Sequence, residues 1–133
     1  RRSSDLDRGS APPQLAQIVD AAEASAMREA VEQVDVHADV VRYVVALAAA
    51  SRSHPQVEVG ISPRAELDLV QMARARAMLA GRDYVIPEDV KALAPAATAH
   101  RISLRPEMWV RQIHGDDVID ELLRRLPVPR TSG

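Results

Sequence analysis

Few side chains in this sequence stand where chemistry would use them, and the best placed is Arg64. It follows Gly60-Ile61-Ser62-Pro63, a run that reads as a turn opening a helix. Ser62 suits the N-cap, because its hydroxyl accepts a hydrogen bond from an amide two or three residues on. Pro63 suits the first helical position, where no amide hydrogen is needed and φ is already near the helical value. Gly60 lets the chain turn sharply ahead of the cap. An arginine in the first turn opposes the helix dipole, so stability alone does not account for it. An anion held there would gain from the free amides and the guanidinium together, which makes Arg64 and Ser62 the candidate phosphate-binding pair. A solvated arginine at an ordinary helix start would look the same on these residues alone.

Other candidate chemistry fails on spacing. The sequence has neither the G-x-x-x-x-G-K-[ST] phosphate cradle nor G-x-G-x-x-G. His37, His54, His100 and His114 lack the spacing of a metal site, and the absence of cysteine removes thiolate ligands and disulfides. Glu88-Asp89 and Asp116-Asp117 fall in the first turns of expected helices, where the dipole already explains them. No serine or lysine is flanked by a plausible base. The chain by itself is therefore read as not an enzyme and without a cofactor or metal of its own.

Bulk properties narrow the class further. At 133 residues the chain is long enough for one domain with a real core. A net charge of −2 argues against a nucleic-acid partner, which would need concentrated Lys and Arg. No apolar run is long enough to span a bilayer and no signal-peptide layout is present, so membrane insertion is not expected and a cytoplasmic location is. With no phenylalanine, one tryptophan and two tyrosines, the core must be Ala, Val and Leu, as in packed helices. The start at Arg1-Arg2-Ser3-Ser4, without an initiator methionine, reads as a piece of a larger chain.

The elements that must position Arg64 follow from caps and periodicity. Residues 1–19 read as a linker, polar at first and then carrying Ala11-Pro12-Pro13, with Leu15, Ile18 and Val19 apolar enough to dock along a surface. A helix is expected from Asp20, which has capping-box spacing to Glu23, with Ala22, Ala26, Met27, Ala30, Val31 and Val34 as its apolar set. Residues 38–52 contain the β-formers Val40-Val41-Arg42-Tyr43-Val44-Val45. The stripe Val40, Val41, Val44, Leu47 and Ala48 and the alanine run that follows favour helix, with His37 as N-cap. Ser51 to Val59 reads as a loop.

The central helix is expected from Pro63 to about Ala80, with Gly81 just past its end and Leu69, Val70, Ala73, Ala77 and Ala80 facing inward. Arg74 and Arg76 are expected to point elsewhere, and Arg82 to sit past the helix end, where a cation is comfortable. Pro87 opens a short helix with Val90 and Leu93 inside, which Pro95 should break. Ile102-Ser103-Leu104 reads as a short strand, with Trp109 and Val110 as candidates to pair with it. A last helix from about Asp116 to Leu126 buries Val118, Ile119, Leu122, Leu123 and Leu126. Its Asp120–Arg124 and Glu121–Arg125 pairs are worth about 0.3 kcal/mol each. Residues 127–133 form a tail, and the fold class is mainly α, a helical bundle with one short two-stranded pairing.

Three stretches then carry a resemblance: Gly60-Ile61-Ser62-Pro63-Arg64-Ala65, Gly81 to Ala94, and His100-Arg101-Ile102. In this order and at these separations they closely resemble the C-terminal helical lid of MoxR-type AAA+ ATPases. The likeness extends over roughly residues 15–129, with Val36–Arg52 similar to the second lid helix and Val118–Pro129 to the closing one. Arg1-Arg2 would then fall just beyond the nucleotide-binding core. The resemblance implies a domain of residues 20–126 that packs over ATP and Mg2+ held by a separate AAA+ core. It implies that Arg64 is the second-sensor arginine acting on the γ-phosphate, that neighbouring subunits form a ring, usually a hexamer, and that the parent is an ATP hydrolase. It further implies chaperone-like remodelling or metal-cofactor insertion, with a von Willebrand factor A-domain protein as partner.

Three departures are visible. Ile86 stands where the family usually has a capping threonine, a loss of about 1 kcal/mol, and Ile61 replaces a small residue. Met108-Trp109 is also more apolar than the pattern; Trp109 is expected to fill a gap in the core, with a contact to the missing AAA+ core or a partner as the alternative. Two alternatives stay open on the sequence: the lid of a magnesium-chelatase ATPase subunit, which shares Arg-Asp-Tyr-Val, and a non-catalytic helical protein-interaction module. The isolated fragment, lacking a phosphate cradle, is expected to hold ATP no more tightly than about 1 mM.

Overall fold

Helix starts set the architecture, and each is closed by a different side chain. The computed structural model describes residues 12–130; the parts of the expected linker and tail at residues 1–11 and 131–133 lie outside the described residues. Helix α1 (Ala21–Glu32) opens on a full capping box, with Glu23 N donating to Asp20 Oδ1 at 2.7 Å and Asp20 N to Glu23 Oε2 at 2.8 Å. Helix α2 (Ala38–Arg52) opens on His37, whose Nδ1 accepts from Asp39 N at 3.2 Å. Helix α3 (Pro63–Leu79) opens on Ser62, whose Oγ accepts from Ala65 N at 3.3 Å. Helix α4 (Pro87–Thr98) has no cap hydroxyl, yet its start is intact because Ile86 N donates to Asp89 Oδ2 at 3.0 Å.

The core is built where these helices meet. On α2 the buried set is Val40, Tyr43, Val44, Leu47, Ala48 and Ser51, a stripe at helical spacing. It includes Tyr43 and Ser51 and leaves the expected Val41 exposed. On α3 the inward residues are Ala65, Leu69, Ala73 and Ala77, small enough for α4 and α2 to pack closely, while Val70 is half-buried and Ala80 exposed. A Schellman ending stops α3: Arg82 N donates to Ala77 O, Gly81 N donates to Met78 O, and Gly81 has φ +73°.

Pro95 does not break α4 as expected. The helix runs through it to Thr98 and tightens into a 3-10 turn at Ala99–Arg101. Pro95 removes one amide donor, but Val90, Ala94 and Ala97 are buried and Thr98 Oγ1 donates to Ala94 O at 2.6 Å, so packing holds the turn that propensity would lose. The last helix, α6 (Gly115–Arg125), buries Val118, Ile119 and Leu122, with Leu123 and Leu126 half-buried. Arg125 pairs with Glu121 at 2.7 Å; among the described residues the Asp120–Arg124 pair does not close.

The two-stranded pairing exists with a different partner. Strand β1 (Val57–Val59), in the stretch expected to be loop, runs antiparallel to β2 (Ser103–Leu104), with Val57 opposite Leu104 and Val59 opposite Ser103. Trp109 and Val110 instead belong to α5 (Glu107–Val110), a single helical turn. One turn presents one side to the core, and Met108 takes it. Trp109 is 83% exposed, which overturns the expected packing role. The expected apolar set of the first helix is covered only at its end, where Val34 is buried and Val31 half-buried; within α1 no side chain is buried, and Leu15 and Ile18 ahead of it are each 92% exposed. No helix among the described residues is long and apolar enough to cross a membrane.

Candidate functional site

Arg64 is the second residue of α3, exposed, and makes no hydrogen bond or ion pair among the described residues. Its position is set from below. Ile61, fully buried, precedes the Ser62 cap, and both polar atoms of its backbone are held by side chains from the end of α2. Ile61 N donates to Ser51 Oγ at 2.9 Å, and Arg52 Nη1 donates to Ile61 O at 2.6 Å. The same Arg52 nitrogen reaches Glu66 Oε1, one turn into α3, at 3.1 Å. Ser51 Oγ in turn donates to Ala48 O at 2.7 Å, so this buried hydroxyl is satisfied both as donor and as acceptor.

Gly60 completes the junction by proximity. A Cβ there would lie 2.7 Å from Arg52 N and Cγ, so the turn can rest on the end of α2 only without a side chain. Its backbone is not in the left-handed region, which corrects the sharp-turn role expected for it.

A second charge cluster lies one turn along α3. Arg101, from the 3-10 turn after α4, forms an ion pair with Asp68 at 2.5 Å. The hydrogen bond from Arg101 is the main reason the exposed Asp68 carboxyl sits below its ordinary pKa, with the charges of Arg101 and Arg64 adding to it. Asp68 is thus already matched by Arg101, and Arg64 keeps its own charge for another group.

The third cluster is structural. Asp89 is 1% exposed and takes two hydrogen bonds from Arg82, at 2.9 and 2.7 Å, beside the one from Ile86 N. Arg76 Nε stands 3.3 Å from the same carboxylate, so Arg76, off the core stripe, and Arg82, just past the end of α3 as expected, both pair with Asp89. Asp89 therefore ties the end of α3 to the start of α4 and supplies the anchor that Ile86 lacks.

Among the described residues no group of three or more acidic or histidine side chains could hold a metal ion. Two surface hollows of about 430 and 500 Å³ are lined by Ile102, Trp109 and Ile113 and by Met72, Leu79 and Leu93. Neither includes Arg64 or Ser62. Arg64 projects from a helix start rather than into a cavity, a form that suits a contact completed by another domain. Arg64 and Ser62 are candidates from the sequence, but the roles of Arg52, Ser51, Glu66, Asp68 and Asp89 are not visible there; their partners lie 7 to 33 residues away, beyond any local pattern.

Residues 49–122 match the AAA lid domain family. The chain belongs to that family. The lid is similar to Chaperone MoxR1 of Mycobacterium tuberculosis, at 33% identity over 93% of this chain and 35% of that protein. It is 35% identical to the uncharacterised protein YeaC of Bacillus subtilis over 77% of this chain and 32% of that protein. Protein MoxR of Methylorubrum extorquens is 40% identical over 55% of this chain and 22% of its own length. The lid thus spans about a third or less of these curated relatives, which place it with the MoxR proteins. A crystal structure of a candidate ATPase from Cytophaga hutchinsonii superposes with a TM-score of 0.77 at 26% identity, over 82% of this chain and 36% of that one.

Proposed function

We propose that this lid serves a MoxR-type AAA+ ATPase by supplying Arg64 as the second-sensor arginine. The supporting observation is an exposed guanidinium at a helix N-terminus, without a carboxylate of its own, on a turn held by Ser51 and Arg52. Pro63 has no amide hydrogen and the Ala65 and Glu66 amides are taken by Ser62, so the free cation and the one open amide of that turn, Arg64 N, suit a terminal phosphate oxygen of ATP, whereas the described residues offer nothing to cradle the rest of the nucleotide. ATP with Mg2+, held in a separate AAA+ core, supplies the transferring phosphoryl group. Arg64 then balances the charge on its oxygens, and Ser62, with its hydroxyl proton still free to donate, faces the same anion.

The lid packs on its own core and on neighbouring subunits of a ring, read as a hexamer, in the cytoplasm. Arg64 couples ATP hydrolysis to lid rotation, and the assembly uses that motion for chaperone-like remodelling or metal-cofactor insertion, with a von Willebrand factor A-domain partner. The name of the mycobacterial relative, Chaperone MoxR1, supports the chaperone reading over a magnesium-chelatase lid or a free-standing interaction module.

Steady-state ATP turnover of the full-length protein tests the proposal. Arg64→Ala is expected to lower kcat by about 10²-fold, the scale for losing one donor to transition-state charge, with helical circular dichroism unchanged. Wild-type turnover in that variant would reduce Arg64 to a solvated helix-start residue.

A further inference from the structure

We infer that Arg52 is a positioning residue for Arg64, the part of α2 that fixes where the sensor guanidinium points; this rests on the second-sensor reading above. Arg64 makes no hydrogen bond or ion pair among the described residues and feels Asp68, already paired with Arg101, only through its charge, so its place is decided chiefly by the direction and phase of the first turn of α3. That turn begins at Ile61, whose backbone N–H and C=O are both taken by consecutive side chains of α2, Ser51 and Arg52. Arg52 then makes a second contact across the cap, to Glu66, and so spans the turn from both sides of Arg64.

Charge gives Arg52 a second task. Glu66 lies in the first turn of α3, where it is good for the dipole but repels any phosphate approaching the same helix end. The ion pair at 3.1 Å draws that carboxylate towards α2 and neutralises it. Ser51 is buried and Gly60 cannot accept a side chain, so those two are bound up with folding. The Arg52 side chain is 44% exposed, and removing it opens no core cavity. Arg52 is therefore the member of the junction whose loss can misplace Arg64 without unfolding the lid.

The test is ATP turnover by the full-length protein carrying Arg52→Ala, Arg52→Lys, Glu66→Gln, Arg64→Ala and the Arg52→Ala/Arg64→Ala double change. A misplacement of about an ångström costs up to about 100-fold, so Arg52→Ala should lower kcat by about 10- to 100-fold with KM for ATP within about twofold. Arg52→Lys should recover part of the loss, because one ammonium can still reach Ile61 O. The double variant should be no slower than Arg64→Ala, since Arg52 acts through Arg64. Glu66→Gln keeps an acceptor for Arg52 and should stay near wild type.

Wild-type kcat in Arg52→Ala, with Arg64→Ala impaired, overturns the positioning role and leaves the sensor reading standing. Multiplying losses in the double variant overturn it too, by showing that Arg52 works independently of Arg64. Unimpaired Arg64→Ala removes both. If Arg52→Ala fails to fold, Arg52→Lys decides: kcat below wild type, with normal melting and no loss beyond that of Arg64→Ala when the two are combined, supports positioning, and wild-type kcat opposes it.

Discussion

Asp89 shows how one residue can stand in for an absent cap. Burial alone would raise its carboxyl; the hydrogen bonds from Arg82 and the Ile86 amide, with the charges of Arg82 and Arg76, outweigh that and hold it below the ordinary aspartate value. A carboxyl depressed by folding adds stability that is complete above its unfolded pKa, near 4, and lost as pH falls through the lower folded value. Stability of the lid should therefore drop on acidification below about pH 4. Asp89→Asn should cost about 2 kcal/mol at neutral pH, the scale of hydrogen bonds to a charged group, and should flatten that acid dependence. Urea midpoints measured against pH in the two proteins check this, and parallel curves would contradict it.

Residue by residue, the site was half legible. Arg64 was visible because a cation in a first turn opposes the helix dipole and asks for a reason. Ser62 and Pro63 were visible because cap chemistry is local. Glu66 and Ser51 were not, because an acid in a first turn and a serine near a helix end already have ordinary explanations. Only the meeting of α2 with the Gly60 turn gives them their second role.

Among the elements, those governed by local rules were read correctly and those governed by distant packing were not. Helices α1, α2, α3 and α6 begin within a residue or two of where caps and periodicity placed them. The strand at Ser103–Leu104 was expected but its partner Val57–Val59 was not, because three residues inside a stretch that reads as loop, more than forty positions away, show too little pattern to be recognised. Pro95 misled because interior proline usually ends a helix, whereas burial of α4 on α3 and α6 outweighs the one lost bond. Trp109 misled because large aromatics are usually inside. An exposed indole on a one-turn helix contributes little to folding, so Trp109→Ser should change stability by less than about 0.5 kcal/mol. As this is the sole tryptophan, its fluorescence in the native protein should match that of tryptophan in water. A blue-shifted emission, or a clear loss of stability, would contradict its exposure.

At the scale of the whole molecule, the lid is a bundle with a complete core and an incomplete site. Helices α2, α3, α4 and α6 bury one another while α1 stays open, and Arg64 faces outward, unpaired among the described residues and outside the two hollows lined by apolar side chains. The same holds for Leu15 and Ile18, which touch almost nothing. The most direct measurement is a structure of the full-length protein with a non-hydrolysable ATP analogue and Mg2+. The account predicts an Arg64 guanidinium nitrogen within about 3 Å of a terminal phosphate oxygen, with the Ser51–Arg52–Ile61 junction unchanged. Arg64 left in solvent while another cation occupies that phosphate would contradict it.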